Sequence, residues 1–406
     1  MTLKSSFVYC HIGTPIVRLV AKKGNRIMIV TIVADVLGDE NNGTTIACMN
    51  LVRYLKQSGD TVRVLCCDED RLGQEGYYVV PVRNMGFIIN KALARNNVTL
   101  AKPDKRIIRK ALEGADVCHV MIPFSLGKMA IKQAKKMGVP ISMGFHCQAE
   151  NFTAHFGIGM YSKFFNKFMY HRFYKTCYRK ADAVHYPTEF IKKTFETEVK
   201  HKTNAFVISN GVNSQFKRMP VEHREPPFDK HYNILFIGRY CKEKSQKTLI
   251  QAVAKSKYKD NIQLVFAGQG PDRNKMVKLA NKLDIIPPIL GFYGREELVK
   301  IINSCDLYVH ASEIEIEAIS ALEAISCGLV PVISDSDKSA TKQFALDKKN
   351  LFKNRDADDL AAKIDYWIEN EEEKELYQKR YENFSKGYEQ DVCMLRMREM
   401  LQSIRN

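Results

Sequence analysis

No stretch of this 406-residue chain reaches the roughly 18 uncharged apolar residues that a membrane-spanning helix needs. The nearest candidate, residues 7–21, is interrupted by His11, Pro15 and Arg18. The same interruptions, and the want of a clear small-residue cleavage site, speak against a secretion signal. Residues 1–25 are expected to be an extension outside the core, or an early start with Met28 nearer the true beginning. The eleven cysteines are scattered and include no C-x-x-C, which excludes a disulfide framework and a zinc site and leaves reduced, buried thiols of a cytosolic protein. No metal-ligand cluster is visible, so no metal or other cofactor is expected. Internal repeats and low-complexity tracts are also missing, which rules out a solenoid or a propeller.

What is present is enough chain for two domains, with 45% apolar and 27% charged residues, as in a globular protein. The net charge of +16 is unevenly spread. Residues 1–206 hold 31 Lys+Arg against 16 Asp+Glu, whereas residues 207–406 hold 31 against 30. A field confined to one half implies that this half faces something anionic: nucleic acid, a phosphate-bearing substrate or acidic lipid.

Continuous apolar runs at residues 26–34 (RIMIVTIVA), 61–66, 117–122, 139–144, 183–186 and 205–209 alternate with helical patterns. Runs of this kind suit parallel strands buried on both faces and joined by right-handed crossovers. Residues 213–232 are polar, proline-bearing and without periodicity, hence a linker. A second series follows at 233–237, 263–267, 288–292, 307–310 and 330–334, with a charged tail of two helices from about residue 356. The fold class is α/β: two parallel-sheet, Rossmann-like domains facing a central cleft. The expected boundaries are 1–208, 209–385 and a last helix at 386–406 returning to the first domain. In such sheets ligands sit beyond the carboxyl ends of the strands.

Four post-strand loops carry candidate chemistry. Gly43, in NNGTT before a helix, can let backbone approach a phosphate at a helix N-terminus, though taken alone it reads first as an ordinary N-capped turn. His146, after the 139–144 strand, can bond a sugar hydroxyl or be a structural histidine, the reading that His119 inside its strand suits better. Arg239 and Lys244, after the 233–237 strand, can neutralise a diphosphate or form a solvated basic turn. The fourth, EIEIEAISALEAISCG from Glu313 to Gly328, puts Ile316, Ile319, Leu322 and Ile325 on one helical stripe. Glu315 then lies at the helix start and Glu323 two turns inside, both able to accept from vicinal diols. Glu313 and Glu317 are expected only to complement the helix dipole.

Taken in order, VCHVMIPFSLG, GFH, ISNGV, FIGRYCKEK, FAGQGP and the glutamates eight apart before CG-LVPV resemble the retaining glycosyltransferases of the GT-B class, family 4. That group includes sucrose synthase-like, phosphatidylinositol mannosyltransferase-like and glucosyl-diacylglycerol synthase-like enzymes. The resemblance implies that Glu323 binds ribose and Glu315 the donor sugar. Arg239, Lys244 and Gly43 would hold the diphosphate, with His146 beside the sugar and acceptor. Asn210-Gly211 would mark the hinge, and residues 268–271 would lie near the base. It implies metal-independent, front-face transfer with retention. The chain departs from the family where Gly-Phe-Gly commonly follows the first glutamate; here Ile316, Glu317 and Ala318 stand. It also carries DSDKSAT in place of paired glycines after residue 334, and a single glycine in the first loop.

Residues 161–180 interleave aromatics with Lys163, Lys167, Arg172, Lys175, Arg179 and Lys180. A helix here either lies in a membrane interface through Lys163, Phe164, Phe165, Lys167, Phe168, Arg172 and Lys175, or is a core helix with a solvated basic face. With the charge of its half this favours a lipid acceptor, and the resemblance to glycolipid synthases implies one such as diacylglycerol, glucosylated from UDP-glucose by an enzyme peripheral to the inner face of the cell membrane. The alternatives are a soluble sugar or a polysaccharide or carrier-lipid intermediate as acceptor and, remotely, a basic nucleic-acid-binding protein. A nucleotide-sugar donor and an anionic membrane are the expected partners; nucleic acid is not.

Overall fold

Each apolar run forms a strand, and the central ones do so because their residues find hydrophobic neighbours on both faces of a sheet. A computed structural model describes residues 26–35, 37, 43–84, 86, 100–149 and 162–405. The first sheet contains β1 (Ile29–Val33), β2 (Thr61–Cys66), β3 (Tyr77–Val79), β4 (Val117–Val120), β5 (Ile141–Gly144), β6 (Ala183–Tyr186) and β7 (Ala205–Val207). Its order is β3-β2-β1-β4-β5-β6-β7, parallel throughout. The second contains β8 (Tyr232–Ile237), β9 (Ile262–Ala267), β10 (Ile289–Gly291), β11 (Leu307–His310), β12 (Pro331–Ser334) and β13 (Leu351–Phe352). It runs β10-β9-β8-β11-β12-β13, again parallel. Both orders reverse once, between β1 and β4 and between β8 and β11, and ligand crevices open at such points.

Two strands, β3 and β13, have no counterpart among the sequence runs. They are short edge strands whose pairing with β2 and β12 depends on their neighbours more than on their own residues. The tail forms three helices, not two: Ala357–Glu369, Glu371–Ser385 and Gln390–Ser403. Asn370 separates the first two, its backbone N–H closing the first on the Tyr366 carbonyl.

The chain passes between the sheets at residues 208–231 and again at 386–390. These crossings run side by side. Val212 N–H donates to the Tyr388 carbonyl at 2.7 Å, and Gln390 N–H donates to the Val212 carbonyl at 2.9 Å. Gly211, at φ +77°, fits only without a side chain, since a Cβ would stand 2.6 Å from the Gln390 Cα. The last helix then lies on the Gly43–Gln57 helix. Met394, Met397, Met400 and Leu401 join Leu51, Val52 and Leu55 in one core cluster. Arg398 grips buried Asp60 with two bonds, at 2.6 and 2.9 Å. Among the described residues no helix is long and apolar enough to cross a membrane.

Candidate active site

The loops after β8 and β11 flank the reversal point of the second sheet. After β8, Gly238 and Tyr240 press against the loop after β9. A Cβ at Gly268 would collide with the Gly238 carbonyl, and one at Gly270 with that of Tyr240. Tyr240 anchors the contact, its hydroxyl donating to the Phe266 carbonyl at 2.7 Å. Arg239 sits at the tip, exposed and without an ion-pair partner among the described residues. The Gln246 amide holds its carbonyl at 2.7 Å.

Lys244, on the same loop, forms an ion pair with Glu315 from the loop after β11. Buried His310 lies 3.2 Å from the same carboxylate oxygen through Nε2, and its Nδ1 is 2.8 Å from the Tyr308 hydroxyl. Burial lowers the His310 pKa, so a neutral ring donates from Nε2 to Glu315 and accepts the Tyr308 proton at Nδ1. Burial alone would raise the Glu315 pKa, but Lys244 and then His310 outweigh it and hold the carboxyl down at about 2. Burial likewise opposes the charge of Lys244, and the Glu315 carboxylate overcomes it, raising the ammonium above its ordinary value. The result is a fixed ion pair in which the other carboxylate oxygen has no bond among the described residues.

The helix after this loop is Ile319–Ser326, three residues shorter at its start than the apolar stripe suggests. Glu315 precedes it by four residues, and Ile316 packs against the core of the first domain instead. The expectation that Glu313 and Glu317 serve the helix dipole is corrected by their partners. Glu313 accepts from Arg355 Nε at 2.7 Å and from the Ser245 hydroxyl at 2.8 Å. Glu317 accepts from the Asn210 backbone N–H at 3.2 Å and from its side-chain amide at 2.5 Å. Ala318 caps the helix at φ +64° and ψ +69°, a left-handed conformation that glycine adopts without cost. Glu323 lies half-buried on the helix; burial pushes its carboxyl up to about 7, against the pull of Arg295.

In the first domain His146 follows β5 with its imidazole lying over Gly144, where a Cβ would stand 2.6 Å from the ring. The His185 ring lies 5.5 Å away between centroids, tilted by 55° to it. Burial, then His185 and His119, keep the His146 pKa well below the ordinary value, so the ring is neutral. His119 bonds the Ser142 hydroxyl at 3.0 Å inside the sheet, a structural arrangement. Gly43 is the exposed first residue of its helix with open space around it, so no described neighbour demands a glycine there. The adjacent Thr44 hydroxyl reaches the His146 carbonyl at 3.4 Å.

The described contacts thus join Lys244 to Glu315, and the start of the Gly43 helix to His146. The two sides meet where the Thr188 hydroxyl donates to the Ile316 carbonyl at 2.9 Å and where Asn210 holds Glu317. Sequence reasoning missed His310, although a histidine ending a strand five residues before Glu315 was a readable signal. Two residues past β1, Asp35 is also buried, its carboxyl pushed up to about 7 by burial.

The basic-aromatic segment is the helix Lys163–Thr176, capped by the Ser162 hydroxyl. Its aromatic residues are not uniformly exposed. Tyr170 and Phe173, with Tyr178 just beyond, are buried in a cluster with Phe145, Tyr186 and Phe195, and Phe165 is only partly exposed. Lys163, Lys167, Arg172 and Lys175 point outward with Phe164, 84% exposed, and Phe168, 51% exposed.

Two parallel, doubly wound domains joined by paired crossings are the architecture of a GT-B glycosyltransferase. The chain belongs to that class and to its family 4: the glycosyltransferase family 4 model matches residues 41–216, and that of glycosyl transferases group 1 matches residues 220–386. It is 23% identical over 329 residues to the alpha-monoglucosyldiacylglycerol synthase of Streptococcus pneumoniae, covering 76% of this chain and 71% of that one. The fold matches Anabaena HepE, solved with UDP and glucose, at a TM-score of 0.69, with 14% identity over 93% of this chain and 100% of that one. A match to the catalytic domain of cholesterol-alpha-glucosyltransferase from Helicobacter pylori has 50% identity over 39% of this chain and 98% of that one, at a TM-score of 0.38.

Proposed function

We propose that this glycosyltransferase moves glucose from UDP-glucose to the hydroxyl of a membrane lipid, diacylglycerol being the first candidate, with retention at the anomeric carbon. The observation that carries the donor side is the Lys244–Glu315–His310–Tyr308 chain at the reversal point of the second sheet, beside exposed Arg239. In this reading Arg239 and Lys244 neutralise the departing diphosphate, helped by backbone N–H groups at Gly43, and supply the main electrostatic stabilisation. Glu315 uses its other carboxylate oxygen on sugar hydroxyls and Glu323 accepts from the ribose diol. His146, kept neutral by burial, bonds the sugar and orients the acceptor.

The bond from the anomeric carbon to the diphosphate oxygen breaks with its electron pair going to the phosphate. The acceptor oxygen bonds the same carbon from the same face, and its proton passes to the departing phosphate oxygen. Lys and Arg supply the positive charge at the leaving group. No resident cofactor enters the proposal.

For the acceptor side, the support is the outward face of the Lys163–Thr176 helix, which carries four cations, two exposed phenylalanines and no acidic residue. Aromatics at acyl-chain depth with cations on lipid phosphates make an interfacial helix. The reading places the enzyme on the cytoplasmic face of a membrane, with the first domain against it.

The test is a donor and acceptor screen with the full chain. UDP- and GDP-sugars are offered with vesicles containing diacylglycerol, vesicles containing a sterol, or soluble sugars, and products are identified by mass. A hexosyl-diacylglycerol formed from UDP-glucose is expected. Turnover on a soluble acceptor that persists without lipid would sink the lipid reading, and turnover only with a GDP-sugar would replace the donor.

A further inference from the structure

The position of Glu317 is unusual for a carboxylate. It is 3% exposed, no Lys or Arg among the described residues pairs with it, and it lies on the donor loop two residues beyond Glu315. Its oxygens accept from Asn210 alone in two ways, from the backbone N–H and the side-chain amide. The Ser209 hydroxyl also bonds it, and Tyr388 and Cys393 are the titratable groups facing it from the other crossing. Glu317 therefore stands where the two passages between the domains run together, touching residues 209–210 of one and facing residues 388–393 of the other. One residue to each side, Ile316 is seated on the first domain by Thr188, and Ala318 turns left-handed into the helix bearing Glu323.

We infer that Glu317 is a positioning residue: its carboxyl clasps the stretch between Glu315 and the Glu323 helix to the hinge, so that this stretch is shaped for the donor sugar only when the two domains hold their closed arrangement. The inference rests on the assignment of Glu315 to the donor sugar. Its physical basis is geometric. Glu315 is bridged through its backbone to Lys338 and Ala340 of its own domain, whereas Ile316 and Glu317 just beyond it are bonded to Thr188, Ser209 and Asn210, and hydrogen bonds to an ionised carboxylate are stronger than those between neutral groups. Opening the crevice must break bonds at Asn210 and Thr188 together, which couples domain movement to the loop. Burial pushes the Glu317 carboxyl up to about 7 against the bonds from Ser209 and Asn210. The clasp thus tolerates a neutral group of the same shape, and a glutamine can keep one oxygen on the Asn210 N–H while its amide faces a turned Asn210 side chain.

The test compares the full-length wild type with Glu317→Ala, Glu317→Gln and Asn210→Ala, measuring binding of UDP and of UDP-glucose by calorimetry, with donor KM and kcat alongside. In Glu317→Ala the affinity for UDP-glucose is expected to fall about ten-fold while that for UDP changes less than about two-fold, the loss of a charge-assisted bond set being near 1.4 kcal/mol. Glu317→Gln should restore the ratio of the two affinities to within about three-fold of wild type, and Asn210→Ala should reproduce a smaller part of the loss. A purely structural role would lower both affinities together with the melting temperature, and that result overturns the inference. So does an unchanged ratio in Glu317→Ala, or in Asn210→Ala should the first variant not fold. A wild type that binds neither nucleotide would instead overturn the donor-site reading beneath it.

Discussion

The Lys163–Thr176 helix and the loop from Glu313 to Ala318 are both dense in charge of one sign, and the protein treats them in opposite ways. On the helix, Lys163, Lys167, Arg172 and Lys175 reach solvent without an ion pair among the described residues. On the loop, Glu313, Glu315 and Glu317 each turn to a separate partner: Arg355, Lys244 and Asn210. Charge that is compensated inside the molecule fixes geometry, because breaking it strands a desolvated group. Charge left uncompensated on a surface contributes little to stability and is free to meet an outside partner. The asymmetry in net charge between the halves has this local form.

The largest test of the contrast removes cations from each side of it. Arg239→Ala should lower turnover about 10²- to 10³-fold, the range for deleting one group that stabilises a leaving charge, while the melting temperature stays put because Arg239 is exposed. Wild-type-like kcat in that variant would remove Arg239 from the site. Replacing Lys163, Lys167, Arg172 and Lys175 together by serine should weaken binding to anionic vesicles by about 10²-fold or more, at roughly 1 kcal/mol per cation. Melting should be unaffected, and wild-type binding should weaken as salt rises. Salt-insensitive binding, or none, breaks the membrane side of the comparison.

Internal charge should behave in the reverse manner. Arg398→Ala leaves Asp60 buried and unpaired and is expected to cost about 3–5 kcal/mol of stability in a denaturant titration, with no intrinsic effect on vesicle affinity. The Glu315 pair has a definite pH signature. Its folded pKa of about 2 lies below the ordinary value of 4.5, so the stability it contributes is fully present above about 4.5 and is lost as pH falls through about 2. The stability difference between wild type and Glu315→Gln should follow that window, and a difference constant from pH 7 to 2 would show that Lys244 is not held by charge. The smallest effect concerns Ala318. Glycine relieves a left-handed strain of about 1–2 kcal/mol but gives back about half of it as chain entropy. Ala318→Gly should therefore raise the melting temperature slightly and leave turnover intact.

How far the sequence could be read follows from the range of each interaction. The long parallel strands were legible because burial on both faces writes an unbroken apolar run, and β2, β6 and β11 fall on the residues expected. Residues 163–175 were legible as a basic-aromatic segment, but not which rings turn inward: Tyr170 and Phe173 meet Phe195, whose helix comes later in the chain. Glu313 and Glu317 looked like dipole carboxylates because their partners, Arg355 and Asn210, lie 42 and 107 residues away. Nothing local in EIEIE distinguishes three glutamates that end in three different environments.

By itself, the order of residues determined the alternation of strand and helix, the two-domain layout, and the candidate loops at strand ends, since these depend on local hydrophobic pattern and on glycine and proline. The tertiary structure alone decided which charges are spent inside and which are left for a partner, because that depends on groups brought together across the sheets and through the hinge. The chemistry proposed for this glycosyltransferase lives in those long-range pairings.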